Sequence, residues 1–558
     1  MLMVESEPRL ICRKDWLLIG VLLALVLPLR LWLISNTEVT ARDSIGYIRY
    51  ALQFEKKPWE QVLLDNHQHP GYPVLVWLMS VPVRSSAGET TPENMELSAQ
   101  LVNLIASLLL ILPSYFLGRQ FFGRTVSFSG TILYQYLPIS AQHLSDGISE
   151  PVFLLLLVTG LWQGVCAIRQ RQPWHAALCG VCTGLAYLTR PEGAILLPAF
   201  GLALVAMQFR AEWRSTWRLF AANGALSVLG AMLIGSIYVY ATGSLTNKPV
   251  AGRMLHIRSE AQSVKAVEPR DTVMGQRQLF AAAIPKTEDK TQRLLRSVWA
   301  LISEVNQGYH YVAGIPCLLG LVWSFSFLRQ NPGFWLVMIF VVVHSFVLVA
   351  LAMSVSYVSD RHVMILVLLG CFLVAFGLCE FPRRILGWCK VAPSADTSIS
   401  LPASWFHSTC LWTAILFALI FGICMPKATQ RLHGNRVGNH VAGAWLADHL
   451  KIGDHVEDDH AWSHFFSGWF FNEGDEPPKL PADYVPTTYI VITPPREINF
   501  DMPESISFVS RIMTIERLTK TAKVEYVWPE HAELSKARVV IYSQPRDWAK
   551  NRWSKSTN

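Results

Sequence analysis

Apolar residues run in long blocks through the first three quarters of the chain, and the blocks recur at about 17–25 residues, the length that spans hydrocarbon. This pattern predicts membrane helices at 15–35, 96–118, 125–143, 150–168, 174–189, 191–208, 217–241, 309–328, 333–354, 362–380 and 406–425. The two short segments at 174–189 and 191–208 are split by Thr189-Arg190-Pro191-Glu192-Gly193, which predicts a hairpin that stops short of the far side. From Ser44 to Lys56 the period changes. Ile45, Ile48 and Leu52 share one helical face and Arg49, Gln53 and Lys56 the other, so this segment reads as an amphipathic helix lying in the headgroup plane. Beyond Pro426 the apolar blocks stop. Arg436–Leu450 reads as an amphipathic helix, and Tyr489–Thr493, Lys523–Val527 and Arg538–Tyr542 read as short strands, the pattern of a small α/β unit. The predicted fold is an α-helical polytopic membrane protein of about eleven transmembrane helices over residues 1–426, followed by a small α/β domain over 427–558.

Composition agrees with that reading. Of 558 residues, 51% are hydrophobic and 16% charged, whereas a soluble chain carries roughly a quarter charged residues. The net charge of +7 needs no nucleic-acid partner, because Lys and Arg accumulate in cytoplasmic loops, and no nucleic-acid motif is present. The basic residues fall in alternate connections: Arg119 and Arg124; Arg169 and Arg171; Arg210, Arg214 and Arg218; Arg329; then Arg383, Arg384 and Lys390. The positive-inside rule then puts the N-terminus in the cytoplasm and the tail outside. The outer face gains two long loops, 36–95 and 242–308, and short connections at 144–150, 189–193 and 355–361. The first apolar run, preceded by Arg9, Arg13 and Lys14, exceeds a signal-peptide core and lacks a small-residue cleavage site, so it is expected to be retained. The ten cysteines lie in or beside apolar segments, with none after Pro426, which indicates no disulfide framework in the tail. Cys179-Gly-Val-Cys182 has redox-motif spacing but sits in an apolar helix away from any βαβ pattern, which argues against a redox role.

The candidate chemistry begins with Asp43, directly before the amphipathic helix. An acid there is a favoured N-cap, and it is also placed to act as a general base toward an acceptor hydroxyl. His67 and His69 have metal-ligand spacing but no third ligand nearby. Asp146 and Glu150 occupy a short outer connection. Glu150, followed by Pro151, has a capping reading, yet acids at membrane depth usually face a cavity or partner. Arg190 and Arg361 stand in two further outer connections, each near an acid, as either structural ion pairs or bidentate clamps on a phosphate. Arg253, His256 and Arg258 in the second long loop could serve the same end. The charge-derived sidedness brings Asp43, His69, Asp146, Glu150, Arg190 and Arg361 to one face. A base with phosphate-binding arginines outside the cytoplasm, where no nucleotide sugar is available, suits sugar transfer from a lipid phosphate.

These residues also fall in a familiar order. Asp43-x-x-x-Tyr47 follows the first helix, His69-Pro70-Gly71-Tyr72-Pro73 lies later in that loop, and Glu150 starts the fourth helix. Arg190-Pro191-Glu192-Gly193, Arg361-His362, Trp445-Leu446 and Tyr489-Ile-Val-Ile follow. In order and spacing the chain resembles, over nearly its full length, bacterial GT-C membrane glycosyltransferases. That superfamily contains protein O-mannosyltransferases and the aminoarabinose and galacturonic acid transferases of lipid A or lipopolysaccharide core. The resemblance implies a polyprenyl-phosphate-linked monosaccharide donor and an inverting single displacement in a bacterial inner membrane. It also implies an envelope lipid, glycan or protein as acceptor. Asp43 would be the catalytic carboxylate, helped by Glu150, with Tyr47, His69, Asp146, Arg190, Arg253 and Arg361 binding substrate. One departure stands out: Ser44 occupies the place where several relatives carry a second acid. No metal ligand is therefore assigned, and a divalent metal stays open as cofactor. A Trp-Trp-Asp signature is absent, which argues against whole-oligosaccharide transfer to asparagine. A transporter or flippase of a lipid-linked sugar is the alternative, but the chain shows neither an internal repeat nor a convincing mid-helix charge. A non-catalytic scaffold would leave the outer-face charges without a reason.

Overall fold

A computed structural model describes residues 12–248, 289–355, 358–388, 404–458, 460–472, 485–494, 517–534 and 536–545. Among them, the first half contains helices α1 (Arg13–Ser35), α2 (Arg42–Lys56), α3 (Trp59–Asp65), α4 (Gly71–Ala87), α5 (Pro92–Arg119), α6 (Arg124–Tyr136), α7 (Pro138–His143), α8 (Glu150–Gln170), α9 (Pro173–Thr189), α10 (Leu196–Gln208) and α11 (Trp217–Thr242). A 3-10 turn, Pro191–Ile195, precedes α10. Then come α12 (Lys290–Gly308), α13 (Gly314–Leu328), α14 (Pro332–Val355), α15 (Asp360–Trp388) and α16 (Ser404–Ala428). The tail adds α17 (Val437–His449), β1 (His455–Asp458), α18 (Trp462–Phe466), β2 (Thr487–Ile492), β3 (Lys523–Trp528) and β4 (Val539–Pro545).

Eight helices among the described residues are long and apolar enough to cross a membrane. The protein is a multi-pass integral membrane protein. Three of the segments expected from sequence are not among these eight. The 125–143 segment divides at Leu137-Pro138 into α6 and α7, because proline has no N–H for the preceding turn. The second is α9, whose 17 residues agree with the short helix expected at 174–189, and the third is α13, which has 15 residues where 309–328 was expected. Helices α3 and α4 in the first loop, α12 in the second and strand β1 in the tail were not expected as elements.

One charge lies deep in the bundle, contrary to the sequence reading. Arg30, about three quarters of the way along α1, is completely buried and donates to the carbonyl of Ala141 at 2.7 Å, to the carbonyl of Gln135 at 3.3 Å and to Ser145 Oγ at 3.3 Å. The break between α6 and α7 interrupts the helical ladder, and in a membrane the freed carbonyls need a donor from within the protein. Arg30 supplies it.

Helices α9 and α11 meet through glycines. A Cβ on Gly230 would stand 2.7 Å from the Ala177 carbonyl oxygen, and one on Gly180 would collide with the backbone of Ser227. Small residues let membrane helices approach this closely. Gly180→Leu is therefore expected to force the pair apart and to lower the unfolding temperature in detergent, by about 1–3 kcal/mol of overpacking or more.

At one end of the bundle, Asp15 accepts hydrogen bonds from Tyr115 Oη at 2.7 Å and Arg124 Nε at 2.9 Å, with Arg119 at 3.4 Å. Arg169 and Asn331 both reach the Gln120 carbonyl there, at 2.6 and 3.0 Å. The connections assigned to a common side by their basic residues thus do meet. The candidate site lies at the opposite end.

The tail sheet has strand order β1-β2-β4-β3, with β1 parallel to β2 and the other neighbours antiparallel. Helix α17 covers it through Ala442 and Leu446 against Val456, Val491, Val539 and Ile541. Helix α18 faces the membrane bundle instead. Trp462, Phe465, Phe466 and Phe470 share one buried cluster with Val39, Ile45, Ile48 and Ala51, so the apolar face of α2 is covered by the tail as well as by α4 and α5.

Candidate active site

Asp43 is the second residue of α2. Ala41 holds the cap position, and no side chain caps this helix, which corrects the expectation that Asp43 caps it. A carboxylate in the first turn still gains from the helix dipole. The acid instead faces α15: Arg361 Nη1 donates to Asp43 Oδ2 at 2.6 Å. Arg361 Nε also lies 3.8 Å from Glu150 Oε1, and the same oxygen accepts a hydrogen bond from Arg190 Nη1. Arg190 Nε stands 3.5 Å from Glu192 Oε2. The cap of α8 is Ser149, not Glu150, so Glu150 too is directed by its arginines rather than by capping. Acids and guanidinium groups alternate through this network in the order Asp43, Arg361, Glu150, Arg190, Glu192.

Exposure separates the members. The Asp43 side chain is 38% exposed and that of Glu150 3%, with Arg190 at 11% and Arg361 at 30%. Asp43 is therefore the acid that a substrate can meet, while Glu150 is enclosed between the arginines. Tyr47, one turn along α2, shares a hydrogen bond with Ser149 Oγ at 3.0 Å and stands edge-on to Tyr72. Burial and the nearby acids Glu150 and Asp43 push the Tyr47 hydroxyl well above its ordinary pKa, so it stays a neutral donor.

The structure does not bring every expected residue to this network. Asp146 is buried behind it, where Oδ1 accepts the N–H of Ala41 at 3.1 Å and of Gly147 at 2.8 Å, and Oδ2 lies 2.7 Å from His433 Nε2. Burial raises its pKa, but His433 and these amides more than offset this and hold it below the usual carboxylate value. His433 is correspondingly raised, the neighbouring carboxylate outweighing burial.

His69 is 1% exposed, stacked on Tyr238 at 4.5 Å and edge-on to Tyr187, with Nε2 3.1 Å from Thr246 Oγ1. Burial, with the positive charge of Lys248 nearby, lowers its pKa to about 4, so the ring is neutral at ordinary pH. Arg253, His256 and Arg258 lie outside the described residues.

Lys248 was not singled out from sequence, where it was one more charge in a long charged loop. The structure pins its segment to the site. Thr246 contacts His69, the N–H of Asn247 donates to the Tyr238 hydroxyl at 3.3 Å, and Asn247 Nδ2 donates to the carbonyls of Leu63 and Asn66. Burial lowers the Lys248 pKa, opposed by the negative charges of Glu192, Glu150 and Asp43. No carboxylate among the described residues lies within ion-pair distance of it. The cue available in sequence was position alone: Lys248 follows the end of a predicted membrane helix by a few residues.

The donor set does not suit a divalent metal. Each acid of the network faces a guanidinium instead of converging with another acid, and no group of three or more His, Cys, Asp or Glu among the described residues is arranged to hold an ion. Among the described residues the site is a charge-alternating network in which Asp43 is the more exposed acid and Lys248 has no carboxylate within ion-pair distance.

Comparison with known proteins gives a family match over part of the chain and a fold shared with solved membrane proteins. Residues 69–245 match the family described as dolichyl-phosphate-mannose-protein mannosyltransferase. ArnT from Cupriavidus metallidurans bound to undecaprenyl phosphate shares the fold, with a TM-score of 0.54 and 14% identity over 95% of this chain and 98% of that one. Its apo form gives 0.53 and 15%, with the same shares of the two chains covered. The oligosaccharyltransferase AglB from Archaeoglobus fulgidus, in complex with an inhibitory peptide and a dolichol-phosphate, gives 0.47 and 12% over 85% of this chain. The present chain spans about three fifths of its length (62%). No curated protein matches the sequence.

Proposed function

We propose that this protein transfers a monosaccharide from a polyprenyl-phosphate donor to a hydroxyl of an envelope lipid, glycan or protein, on the extracytoplasmic side of a bacterial inner membrane. The observation that carries the reading is the exposed Asp43 carboxylate, at the start of the amphipathic helix α2, held by Arg361 beside an enclosed Glu150–Arg190 pair. The family match and the fold shared with a polyprenyl-phosphate-binding enzyme support it.

In this mechanism the acceptor oxygen attacks the anomeric carbon, and Asp43 takes the hydroxyl proton as the new C–O bond forms. The bond from the anomeric carbon to the donor phosphate oxygen breaks, and polyprenyl phosphate departs with the electron pair. Its charge grows as it leaves. Arg361 and Lys248 stabilise it, because preorganised cations in a site screened from water act most strongly on developing charge. Lys248 matters most here, since the arginines already face carboxylates in the free enzyme. Glu150 positions Arg190 and Arg361, and neutral His69 holds the Thr246–Lys248 segment in place.

A single displacement inverts the anomeric centre. Membranes containing the protein, supplied with a radiolabelled polyprenyl-phosphate sugar, should yield product of the opposite anomeric configuration. Retained configuration would overturn the mechanism, and transport of the label without product would favour a flippase. Lys248→Met should weaken binding of undecaprenyl phosphate about 10- to 100-fold, as expected for loss of one charge-assisted contact. Unchanged affinity, measured by titration of the detergent-solubilised protein, would remove Lys248 from the phosphate site.

A further inference from the structure

We propose that the tail is a clasp on the catalytic helix, and that His433 is a positioning residue acting on Asp43 through Asp146. The inference rests on the reading of Asp43 given above, but its geometry is independent of the sugar or acceptor. Arg361, from α15, meets the Asp43 side chain. The backbone on either side of it is held by the 145–149 connection. Asp146 Oδ1 accepts the Ala41 N–H, and the Ser44 hydroxyl donates to the Gly147 carbonyl. Asn103 Nδ2, from α5, fixes the same connection by donating to the carbonyls of Asp146 and Ile148. The other oxygen of Asp146 is engaged by His433, from the segment between the last membrane helix and the tail. His433 adopts φ 52°, a left-handed conformation that a non-glycine residue keeps only where its surroundings demand it.

That segment and the tail beyond it contact the chain on both sides of Asp43. Leu432 pairs with Thr37 and accepts the Glu38 N–H at 3.2 Å, and Arg431 meets Glu38 at 2.9 Å. Trp462 Nε1 donates to the Thr40 carbonyl at 2.8 Å, with Arg436 stacked over the indole. Further along α2, Arg49 lies over the Phe470 ring and Lys56 donates to the Phe471 carbonyl. Residues 37–56 are thereby tied to residues 431–471 along their length. A base displaced by about 1 Å loses rate by on the order of 10²-fold, so a clasp that fixes the start of α2 bears directly on turnover.

The test uses the full-length protein in lipid nanodiscs, as wild type, His433→Ala and His433→Gln. In His433→Ala, hydrogen exchange in the peptide spanning residues 40–48 should accelerate at least tenfold while peptides of α5 and α8 stay protected. Turnover should fall at least tenfold, with the affinity for undecaprenyl phosphate within twofold of wild type. His433→Gln, whose side-chain amide can donate to Asp146, should recover most of both losses. Unchanged exchange at residues 40–48 in His433→Ala would overturn the proposal, as would loosening spread evenly over the bundle or a Gln variant no better than Ala. If the wild type shows no transfer with any polyprenyl-phosphate sugar, the functional reading fails, while the exchange measurement still decides the clasp.

Discussion

Asp43→Asn should leave the protein inserted and folded but reduce transfer from a radiolabelled polyprenyl-phosphate sugar by about 10²–10⁴-fold, the usual contribution of a positioned general base. The amide matches the carboxylate in size, and its oxygen can still accept the hydrogen bond from Arg361. It cannot take the proton of an attacking hydroxyl. Arg361 would keep Glu150 at 3.8 Å as a counter-charge, so the change should not strand a buried cation. Binding of undecaprenyl phosphate should be unchanged or slightly tighter, because one negative charge near the phosphate is removed. Transfer at near the wild-type rate would show that Asp43 is not the base and would end the mechanism proposed above.

The largest effect on folding is expected from Arg190→Met. Arg190 joins two acids, Glu150 at its Nη1 and Glu192 at its Nε, and Glu150 is almost wholly enclosed. Removing one partner of a buried pair costs up to about 3–5 kcal/mol, and here Glu150 would keep only the more distant Arg361 at 3.8 Å. The single variant should unfold at markedly lower temperature in detergent. Adding Glu150→Gln removes one stranded charge, so the double variant should regain much of the stability without regaining transfer. Recovery of both together would make the pair purely structural, and a single variant as stable as wild type would contradict the enclosed geometry. Arg190→Lys should restore the charge but not the two-pronged geometry that lets one guanidinium serve both acids.

The membrane bundle was legible because its cause is local and repetitive. A hydrocarbon layer demands helices of a given length, and apolar block length records that demand directly. Where the blocks misled, the reason is visible. Pro138 divides one predicted helix, and α4 was read only as an apolar stretch after His69-Pro70. The amphipathic α2 was legible from its own period. Asp43, Glu150, Arg190 and Arg361 were singled out from sequence, and the structure joins those four directly. Tyr47 lies beside them, bonded to Ser149. Asp146 and His69 came to the same region in other surroundings, one holding backbone amides and the other a packed neutral ring.

Sequence by itself thus determined that the chain crosses a membrane many times, that its basic connections gather at one end, and that an acid and two arginines belong at the other. Tertiary structure decided which charge faces which, because Asp43 and Arg361 are 318 residues apart and no periodicity encodes such a pairing. It also decided where the backbone leading to Lys248 runs, since Thr246 meets His69 and Asn247 is bonded to Tyr238, Leu63 and Asn66 from separate segments. It revealed Arg30 as the donor for a broken helix, which depends on three elements meeting where water cannot. The covering of α2 by the tail was decided there too: the apolar face of that helix could be read from its spacing, but the residues that bury it come from Trp462 to Phe470, and only folding brings them there.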